Sequence, residues 1–221
     1  MIKIFFSRIF FCLAAITSAR AANLDLKKHV ELGALPESVH QLVVVSHQWG
    51  IKATVQAYQR RGSAWVAAKF GPFAAVIGKS GVAAIGAKRE GDNKTPSGLY
   101  SLGMAFGYQP LALKLDYHVI TVADKFIDDA SSPEYNTWIS GPTKAKSYES
   151  MLLSDDSYKL GVVINYNMNP VIAGIGSAIF MHVWPADGTI GTAGCIALSE
   201  RSLYQLLMWL DKGQNPYILI R

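Results

Sequence analysis

The chain has few of the parts that several protein classes require. It has two cysteines in 221 residues, and they do not form a closely spaced pair. It has no H-E-x-x-H, the signature of zinc peptidases, and no GK[ST] follows Gly188, Gly191 and Gly194 as a phosphate-cradling loop would need. It has no dense Lys/Arg run, so nothing points to a nucleic-acid partner. No internal repeat, low-complexity tract or linker divides it. Beyond the first residues no apolar run reaches transmembrane length.

The N-terminus, MIKIFFSRIFFCLAAITSARAAN, has the form of a secretory leader. Lys3 and Arg8 give a positive start, and Ile9 to Ile16 is an apolar run too short to span a bilayer. Ala19-Arg20-Ala21 is a small-x-small exit, which predicts cleavage after Ala21. Residues 1–21 are therefore expected to be a signal peptide, 22–38 a lead-in, and 39–221 one domain. Export to the periplasm or cell envelope follows, with no stable membrane span after cleavage. The full chain carries +5; losing Lys3, Arg8 and Arg20 leaves 18 basic against 16 acidic residues, or +2. About 200 residues suffice for one sizeable core.

Cleavage removes Cys12 and leaves Cys195 as the only thiol, in a compartment that favours disulfides. An unpaired thiol there reads either as a reactive residue or as a small buried hydrophobe.

The local patterns predict a β-rich chain with few helices. QLVVVS (41–46) is a β-branched run. TVQAYQR (54–60) alternates, AWVAAKF (64–70) follows a turn, and FAAVIG follows Gly71-Pro72. KREGDNKTPSGLYSLG (88–103) is a polar loop ending in a short strand. Residues 124–158 read as a long irregular connection. YKLGVVINYN (158–167) and SAIFMHVW (177–184) suit a central sheet, and PYILI (216–220) a closing strand. One helix is expected near the C-terminus. Ser199 caps it, Leu203, Leu206, Leu207 and Leu210 form its apolar stripe, and Lys212-Gly213 mark its end.

HVWPADGTIGTAGC joins these signals. His182 ends a strand, a glycine-rich loop follows, and Cys195 comes next. A thiolate nucleophile needs an adjacent imidazole, and a preceding glycine lets backbone N–H groups approach a developing oxyanion. Thirteen residues separate the pair, a spacing that permits contact without requiring it.

The run HVWPADGTIGTAGCIAL resembles the signature of the L,D-transpeptidase catalytic domain (YkuD-type). Thr95-Pro96-Ser97-Gly98 is similar to that family's TP-x-G element. The resemblance implies a sandwich or barrel-like β fold with one helix after the cysteine. It further implies that Cys195 is an acyl-enzyme nucleophile, His182 its base, and Gly194 and Cys195 oxyanion donors through their N–H groups, with Thr192 at a Ser/Thr position. The substrate implied is a peptidoglycan stem peptide, and no metal or organic cofactor is needed. Cross-linking and carboxypeptidase trimming both follow from such an acyl-enzyme. The sequence departs from the family at Ala193 and Ala197, the latter standing where many members have arginine. Arg89, Lys88, Tyr135 and Asn136 are candidates to grip substrate instead, and Trp184 to wall the site. Two other readings stand beside this one: a zinc peptidase using His182, Asp187, Cys195 and His118, and a wall-binding module without catalysis.

Overall fold

The computed structural model describes Asn23–Leu24 and residues 35–221. The expected leader lies outside the described residues.

The chain opens with β1 (Asn23–Leu24), then a long hairpin of β2 (Gln41–Trp49) and β3 (Lys52–Arg61). After β4 (Ala64–Ala67) and β5 (Phe73–Val76), two short strands, β6 (Val82–Ala83) and β7 (Thr95–Pro96), bracket the polar loop. Then come β8 (Gly98–Gly107), β9 (Tyr117–Val119), β10 (Asp124–Ile127), β11 (Trp138–Ser140) and β12 (Tyr148–Ser150). The last part holds β13 (Leu160–Ile164), β14 (Phe180–Val183), β15 (Ile196–Leu198), helix α1 (Glu200–Trp209) and β16 (Tyr217–Ile220).

The main sheet closes on itself. Strands run in the order β3-β2-β16-β8-β13-β14-β15-β5, and β5 pairs back onto β3. Closure removes the unpaired edges that an open sheet would present. Inside lies an aliphatic core of Val43, Val45, Val55, Val162, Met181, Ile196 and Ile218, joined by Leu203, Leu206, Leu207 and Leu210. The β3 alternation holds, with Ala53, Val55 and Ala57 buried between less buried neighbours. β13 and β14 are buried on both faces, so their sequences read as unbroken apolar runs.

Two expectations need correction. Residues 124–158 are not simply irregular: β10, β11 and β12 form a second, three-stranded sheet. Its strands are three or four residues long, too short to display a period. Buried Asp124 pins this region, accepting hydrogen bonds from Trp138 Nε1, His118 Nε2, Thr121 N and Thr121 Oγ1. The helix is capped by Ser199, whose Oγ accepts from Ser202 N, but it ends at Trp209 and not at Lys212-Gly213. Asp211 Oδ1 accepts from Gly213 N and closes a separate 3-10 turn, a local bond that competes with another helical turn.

Candidate active site

β14 and β15 lie side by side and parallel, with His182 opposite Ala197 and Met181 opposite Ile196. Side chains two residues apart on a strand share a face. Phe180 and His182 therefore face the same way as Cys195 and Ala197, outward from the closed sheet. Met181, Val183, Ile196 and Leu198 face the aliphatic interior. On the outer face Phe180 and Cys195 join Phe106, Phe126, Tyr158 and Val163 in a separate, aromatic cluster.

His182 and Cys195 line one cleft of about 460 Å³, together with Thr192, Gly194, Tyr158, Glu149, Ser177 and Lys88. Both are nearly buried, His182 at 6% and Cys195 at 7% exposure. The thiol donates to the Ala178 carbonyl at 3.2 Å, and Phe180 N–H donates to Sγ at 3.3 Å. His182 Nδ1 lies 2.7 Å from the Val183 carbonyl. A carbonyl only accepts, so Nδ1 carries the proton and Nε2 keeps a lone pair for use as a base. The ring also packs edge-on against Tyr158, centroids 5.2 Å apart.

Burial sets the charge state. It pushes the His182 pKa down to about 4. It pushes the Cys195 thiol up, with the nearby Glu149 carboxylate adding to the effect. At neutral pH the resting pair is a neutral imidazole and a neutral thiol. The charged form of each is the one that desolvation disfavours.

The loop before Cys195 is held by its own short bonds. Thr192 Oγ1 donates to the Cys195 carbonyl at 2.6 Å and accepts from Gly194 N at 3.1 Å. Gly194 has φ of +152°, and a Cβ there would sit 3.0 Å from the Lys94 carbonyl. The position thus demands glycine on two counts. The Gly194 N–H, expected as an oxyanion donor, is donated to Thr192 Oγ1 in this structure. The N–H of Cys195 takes no acceptor among the described residues. Thr95, from the TP-x-G element, reaches the same strand: its Oγ1 accepts from Gly78 N and donates to the Cys195 carbonyl.

Of the residues expected to grip or wall the substrate site, all but Lys88 fall outside the cleft lining. Trp184 packs against Gly188, outside the cleft lining. Arg89 turns back on its own loop, donating to the Gly86 and Lys88 carbonyls. Tyr135 and Asn136 are buried and do not line the cleft. Tyr135 hydroxyl bonds Glu90 and Gly176 N, while Asn136 accepts from Ala178 N and donates to the Tyr166 and Asn167 carbonyls. They hold segment 176–178, which carries the thiol's acceptor, Ala178, in a left-handed conformation with φ of +52°. Of the candidate cations only Lys88 lines the cleft, 4% exposed and bonded to Asp92 at 2.7 Å. The acids Glu149, Asp128 and Glu90 were missed. Each lies in a stretch whose sequence gave no periodic signal to place it. The zinc reading finds no convergence: Asp187 is exposed and His118 bonds Asp124. Among the described residues no three His, Cys, Asp or Glu gather as a metal site would require.

The family model for the L,D-transpeptidase catalytic domain (YkuD) matches residues 51–218. No curated protein and no solved structure gives a significant match.

Proposed function

Because the chain belongs to the L,D-transpeptidase catalytic-domain family, we propose that it is an exported cysteine acyltransferase acting on peptidoglycan stem peptides. Cys195 is the nucleophile and His182 its base. Residues 1–21 serve as the leader and 39–221 as the catalytic domain. The observation that carries this reading is the shared outer face of β14 and β15, from which both side chains enter one cleft.

The reaction proceeds through two steps. A stem peptide enters, and the thiol leaves the Ala178 carbonyl to pass its proton to His182 Nε2. Sγ attacks the carbonyl of a diamino-acid residue, and Cys195 N–H stabilises the oxyanion. His182 then protonates the leaving D-amino acid, and a thioester remains. An amine of a second stem resolves it to a cross-link, or water resolves it to a trimmed stem. His182, neutral at pH 7, is ready to accept the thiol proton without losing one first.

Incubation with muropeptides, read by mass spectrometry, tests this. The expected result is loss of the terminal D-amino acid, with an acyl adduct on Cys195 from a carbapenem-like donor. New dimers identify cross-linking, and trimmed monomers alone identify carboxypeptidase action. A wild-type protein that neither forms the adduct nor alters any muropeptide overturns the catalytic reading in favour of a binding module.

A further inference from the structure

One wall of the cleft carries acid that nothing in the described protein neutralises. Glu149 sits in the middle of β12, paired in register with Phe126 of β10, and Asp128 follows directly after β10. Glu90 enters from the polar loop, its Oε2 accepting from Tyr135 and Ser177 hydroxyls. None of the three forms an ion pair with a described residue. Lys88 lines the same cleft, but its ammonium is already held by Asp92 Oδ1 and the Arg89 carbonyl, both at 2.7 Å. His182 is neutral. Asp128 Oδ1 is shut away from solvent and accepts no hydrogen bond. A buried carboxylate oxygen without a donor is costly, and it is normally answered by a ligand, a water or an ion.

The answering group is a cation whose donors spread widely. A divalent metal needs ligands converging at about 2.0 to 2.6 Å, and these carboxylates do not converge so. A primary ammonium carries three donors and suits a looser ring of acceptors. The wall is also coupled to the reacting pair. Tyr158 donates its hydroxyl proton to Glu149 Oε1 and lays its ring against His182. Burial, then the charges of Asp128 and Glu90, raises the Glu149 pKa to about 7, against the pull of the Tyr158 bond. Glu149 is therefore within reach of both protonation states near neutrality.

We propose that Glu149, flanked by Asp128 and Glu90, receives the primary ammonium of the acyl acceptor and takes its proton. This rests on the acyl-enzyme reading above. The ammonium gives one proton to the Glu149 carboxylate. The freed amine attacks the thioester carbonyl, forming C–N, and the C–S bond breaks. The second proton passes from nitrogen to His182 Nε2 and then to Sγ, restoring the thiol, while Glu149 returns its proton to solvent.

The test uses the wild-type domain, E149Q and D128N, a tetrapeptide stem as donor, and a tripeptide stem with a free side-chain amine as acceptor. With donor alone, E149Q first forms the Cys195 adduct, so that the later partitioning of that adduct is read separately from the rate of acylation, which Glu149 also influences through the thiol and Tyr158. With acceptor present, its ratio of dimer to hydrolysed product should fall at least about tenfold, and that of D128N less. In the wild type this ratio should rise to about pH 7 and then level, because the product of carboxylate and ammonium is constant above it. In E149Q it should keep climbing toward the amine's own pKa of about 10. An unchanged ratio in E149Q overturns the proposal. So does slowed acylation with an unchanged ratio, which would assign the ammonium to the donor's own side chain. A wild type that forms adducts but no dimers overturns it while leaving the acyl-enzyme reading intact. A wild type without adducts overturns both. Should E149Q fail to fold, a wild-type ratio that climbs unbroken to about pH 9 overturns it alone.

Discussion

The two faces of β13–β15 use different chemistry. Inward, Leu160, Val162, Ile164, Met181, Val183, Ile196 and Leu198 meet the leucines of α1. Outward, Phe106, Phe126, Tyr158 and Phe180 meet edge to face, with Phe126 and Phe180 centroids 5.0 Å apart. Aliphatic packing tolerates many arrangements of similar volume. Edge-to-face rings prefer a narrower geometry. The difference teaches where orientation is set. The inner face supplies most of the burial, while the outer face fixes the angle of Tyr158 and, through it, of His182.

The largest effect expected on the outer face is chemical. Cys195→Ala should lower acyl transfer by roughly 10⁴-fold or more while leaving the thermal melt near wild type, as read by muropeptide turnover and calorimetry. An equal loss of stability would mean that the residue serves packing first.

The next effect compares the faces directly. Phe180→Ala should cost about 3 to 5 kcal/mol by denaturant unfolding, because three ring contacts and the cluster joining the two sheets go together. Val183→Ala on the inner face should cost less, about 1 to 3 kcal/mol, since fewer atoms are removed. It should leave the rate of adduct formation nearly unchanged.

A third test uses pH. The folded His182 pKa lies below its ordinary 6.5, at about 4. Its stabilising contribution is full above 6.5 and is lost as pH falls toward 4. The folded Glu149 pKa lies above its ordinary 4.5, at about 7. Its contribution is full below 4.5 and is lost as pH rises through 7. Between about pH 5 and 6.5 the two slopes oppose, so wild-type stability should be nearly flat there. Glu149→Gln should unmask the His182 slope and lose about 2 kcal/mol as pH falls from 6.5 to 5. A slope of the opposite sign would place the charge differently.

The smallest effect concerns Trp184. It lies beside Gly188 and not in the cleft, so Trp184→Phe should change KM for stem peptides by less than about twofold. A large rise in KM would return it to the binding surface.

The inner face was legible from sequence because it repeats. The alternation of β3, the apolar runs of β13 and β14, and the 3-4 leucine spacing of α1 all follow from burying one side of a regular element. Cys195 and His182 were legible as a pair because they flank a glycine-rich loop and match a known signature. Their common face follows from parallel pairing of β14 with β15, which spacing alone did not determine. The acid wall was not legible. Glu149 sits in the three-residue strand YES, Asp128 at a strand exit, and Glu90 in a polar loop; long-range packing brings them to one cleft and leaves no local mark. Tyr135 and Asn136 were named as candidates to grip substrate, and nothing in DDASSPEYNTW says that they turn inward.

The hydrogen bond from the Cys195 thiol to the Ala178 carbonyl bears on chemical ageing. Peroxide and disulfide exchange attack the thiolate, and the reaction slows as the proton is held more firmly. A neutral, nearly buried thiol parked on a carbonyl is a poor target for both. The protein thus keeps its one described cysteine in a form that resists oxidation. On the proposed mechanism, arrival of a stem peptide, by drawing the sulfur off that carbonyl, is the event that arms it.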